Sequence, residues 1–122
     1  MAYFDDLLRR IRVIPREDFA AQLEDAFERG RLSPEERRDT IRLDLLLCGQ
    51  RLPHRADAYL AVEISWNIEP DDVERAARGA TLLSRLNPIV IPAVASRGVT
   101  PEAMEKANTL GVKVVLDGQP FG

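Results

Sequence analysis

Between Ala58 and Gly118 three short apolar runs, AYLAVEISW, IVIPAVA and VKVVLDG, alternate with two stretches of helical period, and no other feature constrains this chain as much. The first helical stretch starts at Pro70. Asp71, Asp72 and Glu74 crowd its positive end, and Val73, Ala76, Ala77, Ala80, Leu83 and Leu86 recur along one face. Asn87-Pro88 punctuates before IVIPAVA, where Pro92 predicts a strand end or a bulge. Thr100-Pro101-Glu102 caps the second helix, with Ala103, Met104, Ala107 and Leu110 facing inward and Gly111 as the stop. A β-α-β-α-β succession places parallel strands in one sheet with helices packed against it.

Upstream, IRLDLLLCGQ reads as another strand, and CGQRLPHRAD, with Gly49, Pro53 and Asp57, reads as a hairpin connection. An antiparallel hairpin therefore precedes the β-α-β-α-β part, giving an α/β fold with a mixed sheet. The N-terminal part is helical in pattern. Phe4, Leu7, Leu8 and Ile11 predict an amphipathic helix over residues 2–12, and Phe19, Leu23, Ala26 and Phe27 another over 17–29, stopped at Gly30. Ser33, Pro34 and Glu36 predict a capped helical turn before Asp39. Residues 1–15 thus read as an arm and 16–122 as one domain. The arm either packs on its own domain or forms the seam of a homodimer.

Composition narrows the chemistry. One cysteine, Cys48, excludes a disulfide framework, and one histidine, His54, leaves carboxylates as the metal ligands available. Seventeen basic and twenty acidic residues leave a net charge of −3, which argues against nonspecific polyanion binding. All but two of the basic residues, Lys106 and Lys113, are arginines, in keeping with genomic composition. No apolar run approaches the ~18 residues of a membrane span, and no signal peptide is evident, so the cytoplasm and no membrane partner are expected.

Two acids interrupt the hairpin strands. Alternation sends Tyr59, Ala61, Glu63 and Ser65 to one face and Leu60, Val62, Ile64 and Trp66 to the other, so Glu63 sits in a half-buried strand and Asp44 in its partner. If the two oppose each other, partner numbers sum to 107 and the loop centres between Pro53 and His54. Opposed side chains have Cβ atoms about 4.5–5.5 Å apart, close enough to share one cation. Without a cation, one of the pair stays protonated. A hard divalent ion resolves the repulsion, since Mg²⁺ usually takes one or two carboxylates plus waters and phosphate oxygens. A salt-bridged layer with Arg42, Arg75 or Arg78 explains the same acids without a metal.

The segments IRLDLLLCGQ, with Asp44, and YLAVEISW, with Glu63, followed by the helix EPDDVERAARGATLL, the strand IVIPAVAS, the helix TPEAMEKANTLG and the strand VKVVLDG, resemble the PD-(D/E)XK nuclease superfamily with its restriction-endonuclease-like fold. They resemble in particular a mostly bacterial branch in which such a domain often follows a coiled coil. The resemblance covers about residues 17 to 118. It implies that Asp44 and Glu63 bind Mg²⁺ or Mn²⁺, that Glu24 or Glu28 supplies a helical acid, and that DNA or RNA is the partner. The family's lysine, two residues after the glutamate, is Ser65 here; Ser65 donates a hydrogen bond but carries no charge. Arg75 or Arg78 would then clamp the phosphate, although both also suit pairing with Glu69, Asp72 or Glu74 at helical spacing.

The resemblance leaves two functions open. One is metal-dependent phosphodiester hydrolysis; the other is a catalytically silent nuclease fold that binds nucleic acid or protein as an oligomeric scaffold. A Rossmann-type domain is disfavoured by the lack of a glycine-rich phosphate loop, and strand order discriminates it. His54 reads as a loop residue, Cys48 as a buried hydrophobe, and Trp66 as core rather than a base-stacking platform.

Overall fold

The computed structural model describes residues 4–51 and 56–116. The centre of the expected hairpin loop, with His54, and the Asp117-Gly118 turn lie outside the described residues. The elements run α1 (Phe4–Leu7), β1 (Arg9–Val13), α2 (Arg16–Glu28), α3 (Pro34–Ile41), β2 (Leu45–Arg51), β3 (Ala56–Ile64), β4 (Asn67–Ile68), α4 (Pro70–Leu83), β5 (Val90–Ser96), β6 (Gly98–Val99), α5 (Pro101–Leu110) and β7 (Lys113–Leu116). A five-stranded sheet has the order β1-β2-β3-β5-β7, and β4 and β6 form a second, two-stranded pair. β1, β2 and β3 are antiparallel to one another in turn, whereas β3, β5 and β7 are parallel. The sheet is therefore mixed, with α4 and α5 as its crossovers. No helix among the described residues is long and apolar enough to cross a membrane.

Local chemistry sets the helix boundaries. Ser33 Oγ accepts from Glu36 N at 3.1 Å while Glu36 Oε1 accepts from Ser33 N at 2.9 Å, so α3 begins with a closed capping box. Thr100 Oγ1 caps α5 through Ala103 N at 3.1 Å, and Gly111 ends it at φ 70°. α2, α3 and α4 enclose one cluster with Leu43, Leu46 and Ala61, and α4 and α5 enclose a second with Val94. Both lie on one face of the sheet. Leu47, Ala58, Leu60, Val62 and Ala93 face the other way, where Leu8 and the α1 residues Phe4 and Leu7 pack.

Three expectations change. The helix expected over residues 2–12 ends at α1, and residues 9–13 form strand β1. The reason is the edge of β2, whose main-chain groups need partners; Arg9, Arg12 and Val13 pair with Gln50, Cys48 and Leu47, and a bulge with Arg10 at φ 55° fits the register. Of the two readings of the apolar stripe, packing on its own domain is the one seen here, with Leu8 in the second-face core and Phe4, Leu7 and Ile11 packed against it. Arg9, Arg10 and Arg12 on the outermost strand give charge to an edge that would otherwise invite further pairing.

The second change is at residues 40–44, expected to open a strand. α3 continues to Ile41 instead, so β2 starts at Leu45 and Asp44 occupies the bend just before it. Third, Pro92 lies within β5 rather than at its end. It is tolerated because β7 pairs with β5 only from Ala93 onward, so the missing N–H costs no ladder bond on that side.

Gly49 permits the docking of β1. A Cβ there would stand 2.9 Å from Arg9 O and 3.0 Å from Leu8 Cβ. We expect Gly49→Ala to lower stability by about 1–3 kcal/mol and to speed amide exchange in residues 12–14 before the rest of the sheet; unchanged exchange there would mean that β1 docks independently of this contact.

Candidate functional site

β3 is the central strand, flanked by β2 and β5, and Glu63 lies next to its last residue, Ile64. Every β2–β3 partner pair sums to 107, from Leu45↔Val62 to Arg51↔Ala56. The next step in that register sets Asp44 opposite Glu63. Where the ladder ends, Asp44 continues it with its side chain: Oδ2 accepts from Ile64 N at 2.8 Å. The Asp44 backbone is fixed from behind. Leu43 N bonds Thr40 O at 3.1 Å, Arg16 Nη1 donates to Leu43 O at 2.8 Å, and Arg16 Nη2 donates to Ile41 O.

Glu63 points to the helix-covered face and is 5% exposed. Burial, then the hydrogen bond with Asp44 and the charge of Asp44, push its carboxyl up to about 8. Asp72 adds to the rise, and Arg75, with Nε 3.9 Å from Glu63 Oε2, opposes it without cancelling it. Arg75 is divided between acids, since its Nη2 also donates to Asp72 Oδ1. Asp72 is itself tied to the start of α4, where its Oδ2 accepts from Glu69 N at 2.9 Å. At neutral pH the Glu63–Asp44 pair therefore holds a proton. A cation and that proton compete for the same oxygens.

α4 brings Arg75 to this place because Gly79, one turn further on, lies against Leu43. A Cβ at Gly79 would meet Leu43 Cδ1, Cδ2 and Cγ at 2.7–2.8 Å. The residue before Asp44 thus sets how closely α4 approaches the sheet.

The other expected site residues fall elsewhere. Glu24 is on α2 and pairs with Arg37 of α3, and Glu28 is exposed on α2. Among the described residues no three His, Cys, Asp or Glu side chains gather to hold a metal ion, so neither helical glutamate completes the Asp44–Glu63 pair. Ser65 Oγ donates to Asn67 O at 3.2 Å. Arg78 reaches Asp39 on α3 at 3.1 Å, a longer link than the helical pairing its spacing suggested. Lys106 pairs with Glu74, and Lys113 is an exposed residue of β7. Cys48 is buried, with Arg12 Nη2 3.7 Å from its sulfur.

Trp66 departs most from its expected place. It is 76% exposed, because β3 ends at Ile64 and the chain turns into β4 before the strand alternation reaches residue 66. Gly79 and Arg16 were not singled out from sequence, whereas the Asp72–Arg75 pairing is one that helical spacing predicted. Gly79 alone carried a signal, since a glycine inside a strongly helical run costs about 1 kcal/mol against alanine and usually has a packing reason.

No family model matches this chain, and neither a curated protein nor a solved structure matches it.

Proposed function

We propose that Asp44 and Glu63 are the carboxylate pair of a PD-(D/E)XK nuclease-like site that takes Mg²⁺ or Mn²⁺ and hydrolyses phosphodiester bonds in DNA or RNA. The observation that carries this reading is a buried glutamate on the central strand, hydrogen-bonded to a second acid and pushed up to about 8. Such a pair offers only hard oxygen donors and, once Glu63 gives up its proton, a negative charge that Arg75 does not cancel, which is the chemistry that suits Mg²⁺ or Mn²⁺. The antiparallel order of β1, β2 and β3 passing into parallel β5, with Asp44 at the start of β2 beside Glu63 of β3, supports a restriction-endonuclease-like fold over a Rossmann-type one.

A bound ion would supply Lewis acidity and lower the pKa of an attacking water. The chain's own groups set the rest. Glu63, once deprotonated, and Asp44, held in place by its bond from Ile64 N, would hold the ion. Arg75, whose guanidinium approaches the pair, exchanges the Asp72 carboxylate for a phosphate and offers the bidentate donation that the serine at position 65 cannot.

One observation favours the second reading, a silent nuclease fold that binds nucleic acid without cutting it. Ser65 Oγ is engaged with Asn67 O, so the motif's cation position holds no charge and its hydroxyl has a local partner. Calorimetric titration with Mn²⁺ should show a weak site, with proton release between about pH 6 and 8, lost in Asp44→Ala and Glu63→Gln. Unchanged heats in both variants would remove the metal site. A plasmid or oligonucleotide assay with Mn²⁺ then separates the readings. Cleavage by the wild-type chain that is lost in both acid variants establishes the enzyme, whereas cleavage gained only in Ser65→Lys establishes the silent form.

A further inference from the structure

Trp66 is the chain's one tryptophan, and an indole 76% exposed is unusual for a side chain that contributes so much when buried. Its mounting is rigid. Ser96, a buried polar residue, donates from Oγ to Trp66 O at 2.7 Å and accepts from Gly98 N at 3.1 Å. Ser65 N bonds Ala95 O at 3.1 Å, and Asn67 pairs with Gly98 in the β4–β6 ladder. The backbone on both sides of Trp66 is thus fastened to the end of β5, while the ring faces solvent. The Arg97 guanidinium lies over the indole, 4.8 Å from its centroid. With 76% of the residue accessible, that contact leaves most of the ring uncovered.

Position adds to this. Trp66 follows β3 and Arg97 follows β5, two adjacent parallel strands, so both lie at the carboxyl ends where open α/β sheets bind ligands. Glu63 is three residues before Trp66, which bounds their Cα separation at about 11 Å, the length of about three stacked nucleotide steps. A flat π face, an adjoining guanidinium and polar flanks in Ser65 and Asn67 match what unpaired bases use, stacking plus phosphate attraction.

We infer that Trp66 and Arg97 form a stacking platform for an unpaired base, so that the nucleic acid taken by this chain is single-stranded or locally unpaired beside the Asp44–Glu63 site. This deepens the proposed function and rests on it for the choice of nucleic acid as ligand. Stacking on the platform does not require the metal.

The test uses the full chain in EDTA at low salt with the single-stranded oligonucleotide dT12 and a blunt duplex of equal length. Because Trp66 is the sole tryptophan, its fluorescence reports this surface alone. Titration with dT12 should quench it, and the duplex should quench it far less. By anisotropy of labelled dT12, Trp66→Ala should weaken binding about tenfold or more, Trp66→Phe less, and Arg97→Gln should weaken binding and flatten its salt dependence. Because EDTA keeps the Asp44–Glu63 pair free of metal, dT12 binding reads the platform alone, while the Mn²⁺ heats read the acid pair, so loss of the metal site and loss of the platform are separately visible. Absence of quenching, equal binding by Trp66→Ala, or equal quenching by the duplex would overturn the platform. So would self-association that depends on Trp66, which would make the surface a protein-docking one.

Discussion

Raising the pH from about 5 to about 8.5 destabilises the folded chain, and Glu63→Gln removes most of that loss. Glu63 titrates near its ordinary value of 4.5 when unfolded and near 8 when folded, because burial and Asp44 both disfavour its charge. The folded state therefore holds one more proton than the unfolded state between those values. Its stabilising effect is complete below about pH 4.5 and is lost as the pH climbs through about 8. One whole proton corresponds to about 1.4 kcal/mol per pH unit, so the window amounts to a few kcal/mol. Set against the ~5–15 kcal/mol that holds a domain of this size together, that is a large share.

Other shifts fall outside this window. The Ser33 backbone holds the Glu36 carboxyl down, which matters below its ordinary value, and burial pushes Tyr59 up from 10. The lone imidazole is removed by running the series in a His54→Gln background. Urea titrations across the range should then show a steep profile for the parent chain and a flat one for Glu63→Gln, whose amide can still donate to Asp44. Asp44→Asn should give an intermediate slope, since burial of Glu63 remains. A parent profile as flat as the variant's would mean that Glu63 ionises freely, and the proton-holding pair would be lost with it.

The hairpin was legible in the sequence because its two demands coincide. The turn-rich residues at 49–57 and the alternation of both strands are compatible with a register in which partner numbers sum to 107, and that is the register the strands adopt. The β-α-β-α-β part was legible for a similar reason, with Pro70, Thr100 and Gly111 punctuating two strong helical periods. Residues 9–13 were not. Arg-Arg-Ile-Arg-Val carries one apolar residue between charges, which suits a helix face or an edge strand equally, and the unpaired side of β2 decided between them. Trp66 was misplaced because alternation was carried past the last paired residue of β3. Of the site, the acid pair and Arg75 were readable from strand and helix spacing. So was the Asp72–Arg75 pairing within α4, whereas Gly79 was not, since its contribution depends on how α4 lies across the sheet.

That approach of α4 is where the second large effect is expected. In an exposed helix Gly→Ala gains about 1 kcal/mol. At Gly79 the new methyl would stand 2.7–2.8 Å from three atoms of Leu43, itself 1% exposed within a core that includes Leu46, Ala61 and Leu83. Overpacking of this kind costs about 1–3 kcal/mol, so Gly79→Ala should lower stability despite its better helix propensity. Leu43→Ala should cost about 2–5 kcal/mol by opening a cavity in the same place. Combined, the two changes should cost less than their separate effects, by about 1 kcal/mol or more, because the methyl at 79 enters the space that Leu43 vacates. Urea denaturation of the four chains reads this directly, and strict additivity would show that α4 and Leu43 do not constrain each other. The same contact governs the site. Arg75 precedes Gly79 by one helical turn and Asp44 follows Leu43 directly, so a methyl that drives α4 outward draws the Arg75 guanidinium away from Glu63. Arg75 lowers the Glu63 pKa, so its retreat raises that pKa further. Gly79→Ala should therefore shift the pH profile of stability upward as well as lower stability, and the Leu43→Ala change should restore part of both.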